Sequence, residues 1–435
     1  AANAAGVNMG RAPPCPSPGL RDIPSLICPT DVCTALGACK SSVFCWDCMM
    51  FLDVGTDRKL ETSEAWQIIG SGPKVHQSAD QTASKVGWLS SRHRAEPAVQ
   101  IMTNLYYAAA CQTSFECPAT RDGIGERVKR MCEIVEHTVV GYEPFFDVRL
   151  LVFPEFAHAA PIYESVEKLR DRLAVKLPNE HTDKYAAACA KLGCYIQTGT
   201  FMEVDDQYPD AVFNTTMLIG PKGVLSTYRK VNPCIPWELH SSPHDFANYK
   251  EEPFPVVDTE LGKLGMAICY DWLFPETIRQ IAFNGAEVII RVSAYMDPWG
   301  ATPPMDWWTL FNRARAAENT VYVVAANQGA TFRGYPPFSW PGGSMVVDFD
   351  GRILAQADPG EGEKVVVAPI SIDTLRAERK RRVGHDMRAH LRSEIHPYLS
   401  QTHLARGASV PLTMPEIRRR IDRSKAELET TDGHR

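Results

Sequence analysis

At 435 residues, with a net charge of −6 and 44% apolar residues, the chain has material for one large core or two domains. It lacks the clustered basic face that a nucleic-acid surface needs. No apolar run approaches the ~20 residues of a membrane-spanning helix, and the first ten residues carry neither the basic start nor the apolar core of a secretory signal.

Residues 1–24 are rich in Ala, Gly and Pro and read as an extended arm. Residues 25–95 have no assignable pattern. Six of the 13 cysteines, Cys15, Cys28, Cys33, Cys39, Cys45 and Cys48, crowd the first fifty residues. Cys45 and Cys48 have zinc-knuckle spacing, but the second pair that such a site needs is missing, so ordinary thiols in a packed extension are expected and no metal is predicted. An odd cysteine count without a secretory signal fits a cytoplasmic protein.

The core is predicted to begin with a strand at Ala98–Met102. Apolar residues at helical spacing predict a helix over Gly123–Thr138, followed by a strand over Val148–Phe153. Helices are expected at Tyr163–Val175 and Asp183–Leu192, and strands at Tyr195–Phe201, Ala211–Ile219 and Val224–Lys230. A short apolar run, Met266–Ile268, reads as a buried strand, with a helix over Thr277–Phe283 behind it. Then come a buried strand Ala286–Val292, a helix Asp306–Asn319, a strand Val321–Ala326, a hairpin around Asp350-Gly351 and a last strand Val365–Ile370. The alternation predicts an α/β protein with helices covering a sheet.

Three of these strands end in reactive side chains. Met266–Ile268 stops at Cys269, and Pro275 and Glu276 suit the first turn of the following helix, so Cys269 sits at a strand-to-helix corner. Such corners expose a nucleophile and aim backbone N–H groups at one point; the competing reading is a buried core thiol. A thiol attacking a carbonyl or nitrile carbon needs a base, and the charge that develops needs a cation. Phe153-Pro154-Glu155 supplies a carboxylate at one strand end, and Tyr228-Arg229-Lys230 a basic pair at another. Strand ends are where open sheets collect their sites.

The ordered set FPE, YRKVNP and CYDWLFPE resembles the nitrilase superfamily of carbon–nitrogen hydrolases, matching its Glu-Lys-Cys site at Glu155, Lys230 and Cys269. The likeness runs over roughly residues 97–372 and includes Phe213-Asn214-Thr215, Arg315–Asn327 and Gly342-Gly343-Ser344. It implies a four-layer α-β-β-α sandwich of the nitrilase type. Residues 1–96 are then an N-terminal extension, 97–372 the hydrolase domain, and 373–435 a C-terminal extension expected in subunit contacts.

On that reading Cys269 is the nucleophile. Glu155 is the base, its affinity for protons raised by the apolar Phe153, Pro154 and Phe156 around it. Lys230 is the cation beside the tetrahedral intermediate, and the backbone N–H of Tyr270 the second oxyanion donor. Arg229 points to the opposite strand face, as a structural ion-pair partner. Glu238 lies eight residues after Lys230 in a loop stiffened by Pro233 and Pro236. That loop resembles the one in aliphatic amidases and formamidases, where a second Glu positions the amide and supports the Lys. Trp237, Trp272, Ser293 and Tyr295 are candidate pocket residues. The histidines lack metal-ligand spacing and no phosphate-binding glycine loop is present, so no cofactor is expected.

The expected reaction is hydrolysis of a small amide through a cysteine thioester. Nitrile hydrolysis is the alternative, disfavoured because nitrilases proper usually place Trp-Glu after the Cys, where this chain has Tyr270-Asp271. A non-catalytic scaffold is the other, disfavoured by the intact Glu155, Lys230 and Cys269. A homodimer or larger homo-oligomer is expected, because Trp307, Trp308, Leu310 and Phe311 make their helix apolar on more than one face.

Overall fold

The structure is a computed structural model, and it describes residues 104–113, 120–158, 163–235, 237–329, 340–408 and 414–431. All of them lie in one unit, Arg94–Arg435. The expected arm, the N-terminal cysteines and the strand Ala98–Met102 lie outside the described residues.

The chain opens with β1 (Leu105–Gln112), α1 (Ile124–Tyr142), β2 (Val148–Val152), α2 (Val166–Arg172) and α3 (Glu180–Leu192). Next come β3 (Tyr195–Gln197), β4 (Phe201–Asp205), β5 (Tyr208–Gly220) and β6 (Gly223–Arg229). The second half runs β7 (Val256–Thr259), β8 (Gly262–Ile268), α4 (Pro275–Phe283), β9 (Val288–Ser293), α5 (Trp307–Asn319) and β10 (Tyr322–Asn327). It closes with β11 (Met345–Val347), β12 (Ile353–Gln356), β13 (Lys364–Ser371), α6 (Ile372–Arg381) and α7 (Met414–Thr431).

Two sheets result. One runs β13-β1-β2-β3-β5-β4 with β6 paired to β5, and the other runs β12-β11-β10-β9-β8-β7. Their centres are parallel, β1 with β2 and β3, and β8 with β9 and β10. Parallel strands buried on both faces require apolar residues at odd and even positions alike. In β1, Ala108 and Ala110 join the core that includes Met266, Ile290 and Val292 of the other sheet, while Ala109 and Cys111 join Val128, Met131 and Tyr185 of α1 and α3. Gln197 Nε2 donates to Met266 Sδ at 3.4 Å, which sets the two sheets face to face. On the far side of the second sheet α4 lies so close that a Cβ on Gly265 would come within 2.4 Å of Ile281, so this strand position needs glycine. The layers are therefore helix, sheet, sheet, helix, as the family likeness implied.

The differences from expectation are local. Tyr195–Phe201 is two strands along β5, because the ladder is interrupted and its register shifts at Thr198-Gly199-Thr200. A Cβ on Gly199 would stand 2.6 Å from Pro154 O, so the glycine lets this segment press on the loop carrying Glu155. Between β8 and α4 stands a 3-10 turn, Cys269–Leu273, in a stretch left unassigned from the sequence. The hairpin β7–β8 and helix α7 were not expected. The segment after α6 returns to the body of its own chain: the Tyr398 hydroxyl donates to Glu276 Oε1 at 3.0 Å, and Gly407 N to Asp245 Oδ1 at 2.8 Å.

Candidate active site

Four strand ends converge. Glu155 follows β2, Lys230 follows β6, Cys269 follows β8, and Ser293 ends β9. Glu155, Lys230 and Ser293 have no exposed surface, and Cys269 keeps 6%.

The loop after β2 is held rigidly. Phe156 has φ 58°, in the left-handed region that a bulky residue enters only under constraint. Phe156 N donates to Thr200 Oγ1 at 3.0 Å, and Gln328 Nε2 donates to the Glu155 carbonyl at 2.9 Å. Beneath them His158 stacks on Phe201 at 3.8 Å between ring centres, with its Nδ1 3.1 Å from Thr200 O. The Glu155 carboxylate is thus aimed by its backbone.

That carboxylate receives a full set of donors. Oε1 accepts from Lys230 Nζ at 2.8 Å and Asn214 Nδ2 at 2.9 Å, and Oε2 accepts from Ala294 N at 3.1 Å. Lys230 Nζ also donates to both oxygens of Glu238, at 2.8 and 2.9 Å. Glu238 is fixed in turn by the Cys234 N–H at 2.6 Å. His240 Nε2 stands 3.0 Å from Glu238 Oε2.

One buried ammonium between two carboxylates separates their proton affinities. Burial raises the Glu155 carboxyl above the ordinary carboxylate range, and the attraction of Lys230 only partly offsets it. Burial works the same way on Glu238, but there Lys230 and then His240 outweigh it and hold the group well below that range. Lys230 itself would lose its proton to burial but for Glu155 and Glu238, which together raise it well above an ordinary lysine. The site thus holds a fixed ammonium, a fixed carboxylate at Glu238, and a proton-accepting carboxylate at Glu155.

Cys269 has φ 44°, the left-handed geometry of a nucleophile elbow. Burial, then the Glu155 charge, push its thiol up, opposed by Lys230 and Arg291. Cys269 and Glu155 each shift the other's proton affinity, so the two side chains face one another in the site. Asp271, two residues on, accepts from Ile268 N at 3.0 Å, Tyr228 Oη at 2.7 Å and Asn232 N at 2.8 Å. It ties the Cys269 elbow to the strand end that presents Lys230.

The other candidates are placed as follows. Tyr270 is half-buried on the elbow, its ring 5.3 Å from that of Phe274. Trp237 is 61% exposed and packs against Trp299 at 5.7 Å. Tyr295 donates to Trp299 O at 2.9 Å. Trp272 is fully buried and its ring lies over the Arg291 guanidinium at 5.2 Å. Arg229 pairs with Glu203 and Asp205 on the far strand face, the structural role its position suggested. The sequence reading gave no role to Asn214, Gln328, His240 or Arg291. Each is a polar residue in an otherwise apolar or stiff stretch, and that was the available signal. Among the described residues no group of three His, Cys, Asp or Glu side chains is arranged to hold a metal ion.

Comparison with known proteins bears on the family and the fold. The pattern of the carbon-nitrogen hydrolase family matches residues 107–380. A formamidase of Bacillus cereus (strain Q1) is 30% identical over 278 residues, covering 62% of this chain and 76% of the relative. A formamidase of Bacillus thuringiensis is 30% identical over 264 residues, covering 59% and 72%. Among solved structures, Saccharomyces cerevisiae Nit3, a member of branch 10 of the nitrilase superfamily, superposes with TM-score 0.54 at 25% identity over 65% of this chain and 95% of its own. A carbon-nitrogen hydrolase from Helicobacter pylori shares the fold at TM-score 0.55 and 18% identity, over 69% of this chain and all of its own. The chain belongs to the carbon-nitrogen hydrolase family, within the nitrilase superfamily.

Proposed function

We propose that this hydrolase converts a small carboxylic amide to its acid and ammonia through an acyl-thioester on Cys269. The observation that carries the reading is Lys230 Nζ at 2.8 Å from both Glu155 and Glu238, with Cys269 at the end of β8 beside them. Glu155 takes the thiol proton as Sγ attacks the amide carbon. The oxyanion is held by the Lys230 ammonium and the N–H of Tyr270. Glu155 returns the proton to the leaving nitrogen and ammonia departs. A water then gives a proton to Glu155 and attacks the thioester, which releases the acid and the thiol. Glu238, held ionised, anchors Lys230 and accepts from the amide N–H. The formamidase relatives and the nearly closed nucleophile favour a short acyl group.

A nitrile would pass through the same thioester. Asp271 is wholly engaged in holding the elbow and Asn232, which leaves it nothing to offer a nitrile nitrogen. Trp307, Leu310 and Phe283, exposed on α5 and α4, support a homo-oligomer that covers them. Among the described residues no helix is long and apolar enough to cross a membrane, and we place the enzyme in the cytoplasm. Ammonia release from formamide, acetamide, propionamide, benzamide and acetonitrile tests the reading. Turnover of the short amides, lost in Cys269→Ala, is expected; acetonitrile as the only substrate, or an active Cys269→Ala, would overturn it.

A further inference from the structure

Arg291 lies in the middle of β9, in the run Val288-Ile289-Ile290-Arg291-Val292. The strand register sets Ala267 beside Arg291 and Ile268 beside Val292. Side chains alternate along strands, so Arg291 takes the face of Ala267, and Cys269 follows one step past the end of β8. That is the helix side of the sheet, under the elbow.

The guanidinium is fully buried there. Trp308 of α5 lies over it at 4.4 Å, Trp272 of the elbow at 5.2 Å and Tyr295 at 5.4 Å. Its described hydrogen bond runs from Nη1 to Asn312 Oδ1 at 3.0 Å. Among the described residues no carboxylate forms an ion pair with it. Nε and Nη2 have no partner, and neither have Trp272 Nε1, Asn312 Nδ2 and the Ser293 hydroxyl around it. A buried charge is normally neutralised by an acidic partner. Here rings and unspent donors surround a cation that lies against the turn opened by Cys269.

Taking Cys269 as the nucleophile, we infer that Arg291 is a positioning residue that holds the negative charge of the Cys269 thiolate from beneath the elbow. Aromatic faces stabilise the cation without neutralising it, so its field is left for the sulfur. Lys230 acts from the substrate side and Arg291 from the helix side. The charged groups facing Cys269 are Glu155 after β2, Lys230 after β6, Glu238 in the following loop, and Arg291 on β9. Those facing Arg291 are Cys269, Tyr295, Arg315 of α5 and Glu155. Two of the four groups at the sulfur are acids that oppose the thiolate, and Arg291 offsets them.

The test is the pH profile of Cys269 alkylation by iodoacetamide, read by mass spectrometry on the full chain, in wild type, Arg291→Met and Arg291→Lys. The Met variant is expected to react with a midpoint about one pH unit higher, the effect of losing a nearby opposite charge. The same variant should lose kcat about tenfold with little change in KM, while Arg291→Lys keeps the wild-type midpoint to within a few tenths of a unit. A folded Met variant with an unmoved midpoint overturns the inference. If the Met variant does not fold, a Lys variant whose midpoint rises by a full unit overturns it as well. An active Cys269→Ala would remove the underlying nucleophile assignment; an inert one beside an unmoved Arg291→Met profile would remove only the role of Arg291.

Discussion

Arg229 and Arg291 are both buried guanidiniums in aromatic boxes. The rings of Phe213, Tyr208 and Tyr249 lie 4.4, 5.6 and 5.8 Å from Arg229, nearly the distances found around Arg291. The difference is in the acids. Arg229 donates to Glu203 at 2.8 and 2.7 Å and to Asp205 at 2.6 Å. Burial disfavours its charge, but Glu203 and Asp205 more than restore it, whereas burial of Arg291 is not repaid and its pKa falls to about 10. A cage with acids makes a closed structural unit that exerts little field elsewhere. A cage without them leaves a charge that acts on its neighbour. Lys230, next to Arg229 in the chain but on the opposite strand face, is a third case: a buried cation with two carboxylates, one of which, Glu155, is the base in the proposed reaction.

These distinctions can be broken one at a time. Lys230→Met should have the largest effect. It leaves Glu155 and Glu238 buried together without a counter-charge and removes the oxyanion cation, so amide turnover should fall by about 10³-fold or more. Ammonia release at saturating formamide reads it, and activity within tenfold of wild type would contradict the assignment. Arg229→Met should instead act on stability, by about 3–5 kcal/mol, because Glu203 is left as an uncompensated buried charge. Urea denaturation measures it, and a variant as stable as wild type would show that the closed unit contributes nothing.

Glu238→Gln keeps the shape and loses the charge. Turnover should fall about 10²-fold, with Cys269 still open to iodoacetamide. Near-normal turnover would return Glu238 to the status of an ordinary loop residue. The smallest effect concerns acid. Burial would raise the Asp205 carboxyl, but the Gln207 N–H and Arg229 lower it below its ordinary 3.8. A depressed carboxylate contributes stability that is present above the unfolded value and is lost as pH falls through the folded one. The fall in Tm below pH ~4 should therefore be shallower in Asp205→Asn than in wild type; identical slopes would contradict the pairing.

The alternation of strands and helices was legible because each parallel strand is an apolar run bounded by polar turns. The ends of those runs pointed to Glu155, Lys230 and Cys269, and the likeness of the loop after Lys230 to that of amidases and formamidases pointed to Glu238. What escaped lay in pairings distant along the chain. Nothing near Ala294 announces that its N–H will meet Glu155, nor does the region of Gln328 announce that its amide will fix the backbone of the same residue. The 3-10 turn after Cys269 was hidden because Tyr270-Asp271-Trp272 is compatible with strand, turn or helix. It is Asp271 gathering the amides of Ile268 and Asn232 that selects the turn. Arg291 could have been found, since a lone arginine inside an apolar strand demands a reason.

The central claim is that Cys269 carries the acyl group with Glu155 as its base. Titrating the enzyme with iodoacetamide, while following ammonia release and the mass of every cysteine peptide, tests it most directly. The account predicts that activity falls in proportion to alkylation of Cys269 and reaches zero at one label per chain. A fully inactivated enzyme whose Cys269 is unmodified would contradict it.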